Sequence, residues 1–241
     1  MRSHNLLASV SLTAAVLLSQ GSLIPLAWAA PNQINNTSKQ LPPVPSTPQP
    51  PSGRRTPGGG LEPSVCPVTD HKLTAITPSD VHGKTLSEHP TFWFYMPYTA
   101  DDIEGGKFSV LTEDEFQTVY ETSFKLPEQP GLISITLPES EVPALEVGEY
   151  YHWYLSLDCT IDAQTKTDAT IDGWVQRIDP DETTAAQASP EIWYDSLHVA
   201  AEQLQNDAIE PGPAWIDLLE SVELDALIQA PVVGPVALID C

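Results

Sequence analysis

The chain has 241 residues, 41% of them hydrophobic, enough for one packed domain of ordinary size with an appendage. Its formal charge is −23, and all 33 carboxylates lie from Glu62 onward against six lysines and arginines, so the part expected to fold carries −27. A field of that sign repels nucleic-acid phosphates and anionic lipid; it suits divalent cations, a basic partner or plain solubility.

Residues 1–30 read as a cleavable export signal. Arg2 and His4 form a short basic start, Leu6 to Leu18 an apolar stretch, and Gly21 to Pro25 a helix-breaking region before Ala27-Trp28-Ala29, with cleavage expected near Ala29. A spanning helix needs roughly 20 apolar residues, and no segment of this chain reaches that. Residues 31–63 read as a linker. Leu41 to Pro51 is rich in proline and favours extended polyproline stretches, while Gly53-Arg54-Arg55-Thr56-Pro57-Gly58-Gly59-Gly60 reads as flexible and basic.

Short strands separated by turns are expected from 64 to 180: Leu73–Thr77, Thr91–Met96, Lys107–Thr112, Thr118–Phe124, Leu132–Leu137, Tyr150–Cys159 and Ile171–Ile178. Glu113-Asp114-Glu115-Phe116 connects two of them as a hairpin, and Pro127, Pro130, Pro138 and Pro143 fall between strands, where a missing N–H costs nothing. Tyr150–Cys159 alternates most clearly. Tyr151, Trp153, Leu155, Leu157 and Cys159 face one side, the expected core; Tyr150, His152, Tyr154, Ser156 and Asp158 face the other. Leu145 to Tyr151 resembles the tyrosine corner of immunoglobulin-like sandwiches, with Tyr151 as the corner residue.

Three cysteines are present, and in an oxidising compartment two of them pair. Cys66 precedes the first strand and Cys159 ends the best one, so the expected disulfide is Cys66–Cys159, with Cys241 left over as a free thiol or an interchain link. In the chain-entropy treatment, closing a loop of that size is worth about 4–5 kcal/mol.

The periodicity changes past residue 185. Ser189 caps an expected helix with Pro190 at its first position, and Ile192, Trp193, Leu197, Ala200, Ala201 and Leu204 form its apolar stripe. A break from Asn206 to Gly212 precedes a second helix starting at Ala214. One such hairpin cannot bury its own face, so it is expected to pack on the sandwich.

Six blocks stand out in order. They are Leu73-Thr74-Ala75-Ile76-Thr77-Pro78, Leu86 to Tyr95, Gly131-Leu132-Ile133-Ser134, Tyr151 to Leu157, Gly173-Trp174-Val175-Gln176-Arg177 and Ile192 to Leu197. Together, over roughly residues 53 to 225, the chain resembles the exported cyanobacterial family numbered 928 in the domain-of-unknown-function (DUF) series. The resemblance implies an envelope or extracellular setting and a mostly β domain followed by helices. It implies no activity, cofactor or catalytic residue. The linker here is longer and richer in proline than the resemblance leads one to expect.

Chemistry-bearing patterns are sparse. Ser87-Glu88-His89 are adjacent, and neighbours on a strand point oppositely, so no catalytic residue is assigned. No G-x-S-x-G elbow is present. His198 and Glu202 share a helix face, an ordinary surface contact unless further ligands join them. Asp158, Asp162, Asp168 and Asp172 are weak calcium candidates in the loop before the last strand, since hard oxygen ligands suit that ion; no other cofactor is expected. Trp93, Tyr95, Tyr154 and Trp174, with His152, fall on the strand phase opposite to the core. Exposed, they form a ligand-stacking platform for sugar or protein; otherwise the helical hairpin covers them, the reading favoured because the hairpin needs something to cover.

These readings give a mainly β protein: an immunoglobulin-like antiparallel β-sandwich of about seven strands over 64–180, a helical hairpin over 185–230 packed on it, and a tail at 231–241. It is read as exported to the periplasm or extracellular space, a non-catalytic binding or structural module of the cell envelope whose partner is an envelope polysaccharide or protein. A carbohydrate-active hydrolase and a calcium-dependent adhesion or assembly protein are the alternatives. No nucleic-acid partner and no membrane span after signal cleavage are expected.

Overall fold

A computed structural model describes residues 52–58, 66–159, 168–179, 192–206 and 210–239, all within one unit, Thr47–Cys241. The export signal, the proline-rich run, Asp162, Ser189, Pro190 and Cys241 lie outside the described residues, as does the side chain of Asp168. The strands are β1 (Thr74–Ala75), β2 (His82–Thr85), β3 (Thr91–Met96), β4 (Gly106–Thr112), β5 (Thr118–Lys125), β6 (Gly131–Thr136), β7 (Tyr150–Asp158), β8 (Asp168–Arg177), β9 (Val232–Pro235) and β10 (Ala237–Ile239). The helices are α1 (Trp193–Asn206) and α2 (Pro213–Ser221), followed by a 3₁₀ turn at Asp225–Leu227.

The strands form a sheet of four, ordered β1-β3-β6-β9, and a sheet of six, ordered β10-β5-β4-β7-β8-β2. Alternation drives the pairing, because a strand buried on one face must keep all its apolar side chains in one phase. On β7 the residues Tyr151, Trp153, Leu155 and Leu157 are buried in the phase expected. On β3 the inward residues are Phe92 and Phe94. Phe94 packs on Trp153 with ring centroids 5.6 Å apart and on Phe108 of β4 at 6.0 Å, so the two sheets meet face to face through aromatic side chains. Burying each such side chain contributes about 1.5–3 kcal/mol.

All seven expected strands are present, and three more join them. The first, β2, has no alternating apolar residues and exists by pairing with β8 in parallel. The expected tail is corrected: Val232–Pro235 pairs in parallel with β6, and Ala237–Ile239 pairs antiparallel with β5. The sheets are therefore mixed rather than wholly antiparallel, with both parallel pairings on edge strands.

The hairpin packs where its apolar face requires. Helix α1 lies against β2, β3 and α2, burying Trp193, Leu197, Ala200 and Ala201. Tyr194, not named in the expected stripe although it stands three and seven residues before Leu197 and Ala201, enters between the sheets. Its hydroxyl accepts the Trp153 Nε1–H at 2.8 Å and donates to the Trp174 carbonyl at 3.0 Å. A Cβ on Gly83 would stand 2.5 Å from the Tyr194 ring, so only glycine leaves that ring its place.

The disulfide joins Cys66 to Cys159 with Cα atoms 4.9 Å apart. Tyr151 behaves as a corner residue, its hydroxyl accepting the Glu146 N–H at 2.9 Å. The basic segment read as flexible linker is tied down at its described part, residues 52–58. Arg54 exchanges both backbone hydrogen bonds with Asp172 of β8, beyond the stretch that β2 pairs, and the Arg55 carbonyl accepts from Ala75 of the edge strand β1, so the segment joins one sheet to the other. Arg55 donates further to the carbonyls of Thr77 and Val222, reaching the end of α2. No helix among the described residues is long and apolar enough to cross a membrane.

Candidate functional site

The outer face of the six-stranded sheet carries a bonded cluster of ionisable groups. His152 on β7 lies in register with Trp174 on β8, and the two rings stack with centroids 4.0 Å apart and planes 12° from parallel. His152 is buried, and both its ring nitrogens meet carboxylates: Nδ1 is 2.7 Å from Glu115 Oε1 and Nε2 is 3.2 Å from Asp172 Oδ2. The other oxygen of Asp172 accepts from Arg54 Nε at 3.0 Å.

Glu115 comes from the β4–β5 connection, where it adopts a left-handed conformation, φ 59°, and its carboxylate folds back over the sheet. The Tyr154 hydroxyl donates to the same oxygen at 3.0 Å and sits 2.9 Å from His152 Nδ1. The hydrogen bond from His152, then that from Tyr154, holds the Glu115 carboxyl below the usual carboxylate range. Burial, and then the bond to Glu115, raises the Tyr154 phenol above its ordinary value. The network Glu115–His152–Asp172–Arg54 thus links a hairpin tip, two adjacent strands and the N-terminal segment. In a low-dielectric setting such a network stabilises when its members satisfy one another.

The expected aromatic platform is not one surface. Phe92 and Phe94 point inward, so Trp93 and Tyr95 occupy the outer face of the four-stranded sheet, 2% and 8% exposed, with His198 of α1 packed 6.3 Å from Trp93. Trp174 is on the outer face of the other sheet, 1% exposed, stacked between His152 and His82. Only Tyr154 among the four is partly open to solvent. Helix α1 reaches Trp93 through His198, and the rings of His82 and His152 stack on Trp174.

The calcium candidates are also divided. Asp172 lies within β8, bonded to Arg54 and His152, while Asp158 faces Asp168 across the β7–β8 ladder. Among the described residues no group of three or more His, Cys, Asp or Glu is placed to hold a metal ion. In the Ser87-Glu88-His89 run, Ser87 Oγ accepts the backbone N–H of His89, the His89 ring donates to the Val142 carbonyl at 2.9 Å, and Glu88 pairs with Arg177 at 3.0 Å. His198 and Glu202 are 3.7 Å apart.

Sequence reasoning placed His152 and Tyr154 on the outer face but missed Glu115 and Arg54 as their neighbours. Alternation carries no information about partners from other strands. It missed Phe116 as well, which stands 88% exposed at the hairpin tip. An open concavity lies elsewhere, between the end of α1 and β9, lined by Glu128, Leu204, Gln205, Ile228 and Val232.

Residues 52–232 match the family described as Domain of Unknown Function (DUF928), and the chain belongs to that family. Neither a curated protein nor a solved structure matches it.

Proposed function

We propose that this member of the DUF928 family is an exported binding or structural module of the cell envelope, built on an immunoglobulin-like sandwich and acting without catalysis in the periplasm or outside the cell. One observation carries the non-catalytic reading. The ionisable groups concentrated on the outer sheet face are bonded to one another, with both nitrogens of His152 and both oxygens of Asp172 engaged. Groups so saturated hold chain segments together; a general acid or base must keep an atom within reach of substrate. Export is supported by the signal-like residues 1–30 and by a disulfide, which persists in oxidising compartments. The corner bond of Tyr151 supports the immunoglobulin-like relation, with β2 and β9 as parallel additions at sheet edges.

The test incubates the full chain with isolated envelope polysaccharide and with peptidoglycan, with and without calcium. Retention on the sedimented polymer without release of soluble fragments is the expected result. Fragment release abolished by Glu115→Gln or Ser87→Ala would make the protein a hydrolase. Retention only with calcium would make it a calcium-dependent adhesion protein.

A further inference from the structure

We propose that the tip of the β4–β5 hairpin is a docking surface for a basic polypeptide segment, one that presents lysine or arginine beside an apolar residue. The proposal rests on the binding-module reading and names the contact.

Phe116 carries it. A side chain of this type ordinarily contributes to a core or an interface, yet Phe116 is 88% exposed while the other phenylalanines of the strands are buried. Its backbone is held by a chain of hydrogen bonds. Thr112 accepts the Glu115 N–H at 2.9 Å through its carbonyl and donates its hydroxyl to Asp114 at 2.6 Å; Asp114 in turn accepts the Phe116 N–H at 3.1 Å. Glu115 reaches back to His152 and Tyr154. Its left-handed backbone is a conformation that a non-glycine residue keeps only where the surroundings over-determine it. The consequence is an exposed aromatic ring on a backbone apex that is already ordered, which lowers the ordering cost of binding.

Charge identifies the occupant. On the same hairpin connection an open concavity is lined by Thr112, Glu113, Asp114, Gln117 and Glu149, three carboxylates and no cation. Carboxylates at the rim of an exposed ring complement a cation laid over its face. The same charges oppose nucleic acid and anionic lipid, and the fit is to a basic protein segment.

The experiment titrates the full chain with a fluorescent octapeptide of alternating lysine and leucine, and with a counterpart carrying glutamine for lysine. The expected result is saturable binding of the basic peptide only. Phe116→Ala, which removes a side chain already in solvent, weakens that binding about tenfold with an unchanged melting temperature. Glu113→Gln with Glu149→Gln weakens it and flattens its salt dependence. Equal binding by wild type and Phe116→Ala overturns the proposal, because the attraction is then the general acidity of the domain. Envelope retention that survives Phe116→Ala while peptide binding is lost supports this contact and assigns the polymer to another surface of the module. Peptide binding that Phe116→Ala loses, without envelope retention by the wild type, supports the contact and removes the envelope assignment.

Discussion

His152 shows what alternation reveals and what it withholds. Its place on β7 was legible from the phase of Trp153, Leu155 and Leu157, but its acid partners stand 37 and 20 residues away, and Arg54 reaches Asp172 across 118. Pairings at such separations are set by strand order, which composition does not encode. Asp172 is the member whose loss leaves most unpaired, since Arg54 and His152 both donate to it and it is buried. Asp172→Asn is expected to lower stability by about 2 kcal/mol, because Asp172 is buried while Arg54 is 60% exposed, read from the denaturant midpoint; a loss well under 1 kcal/mol would mean the network does not hold the segments it joins. Glu115 gives a pH signature. Its folded carboxyl binds a proton less readily than in the unfolded chain. Its contribution is therefore present above the ordinary carboxylate value of about 4.3 and lost as pH falls through the lower folded value. Glu115 is 48% exposed, so the effect stays below about 1 kcal/mol. Melting temperatures between pH 5 and pH 3 should fall more for the wild type than for Glu115→Gln, and parallel curves would refute the assignment.

Among the elements, those with their own periodicity were legible: β3, β7 and the stripe of α1. Strands that exist through their neighbours were not. In β2, His82-Gly83-Lys84-Thr85 contains no apolar alternation, and β9 and β10 lie in a stretch that reads as a tail. The N-terminal segment was misread for a different reason. Glycine serves both a flexible linker and a close backbone approach, and sequence does not separate these uses. At Gly53 the approach is decisive, because an added Cβ would stand 2.5 Å from the Asp172 carbonyl oxygen. The Arg54-Arg55 pair is therefore a dibasic site held in backbone pairing, and trypsin cuts it only after local opening. Gly53→Ala should displace the segment and speed tryptic cleavage after Arg54 and Arg55 at least about tenfold, the effect of roughly 1.4 kcal/mol in the opening equilibrium. Mass spectrometry of the first fragments decides it; an unchanged rate would mean the pairing adds no protection.

At the scale of the whole molecule two global properties oppose each other. The formal charge of −27 from Glu62 onward repels itself and favours an expanded chain. Against it stand the aromatic core between the sheets and the covalent closure Cys66–Cys159 across 93 residues. The pairing was legible because the two cysteines flank strand candidates, and the mainly β class because period-two runs recur through residues 70–178; the mixed topology was not, since its parallel pairings involve the strands least visible in sequence. The closure is expected to contribute about 4–5 kcal/mol by restricting the unfolded chain. Both half-cystines are buried, so reductant reaches them only through opening of the fold, and thiol release under native conditions should be slow and accelerate with denaturant. The Cys66→Ser, Cys159→Ser variant should lose about that energy, and lose more at low ionic strength than at physiological salt, where charges more than about 8 Å apart are screened. A loss independent of salt would show that the crosslink does not act against the acidic self-repulsion; salt sensitivity greater in the variant than in the wild type would show that it does.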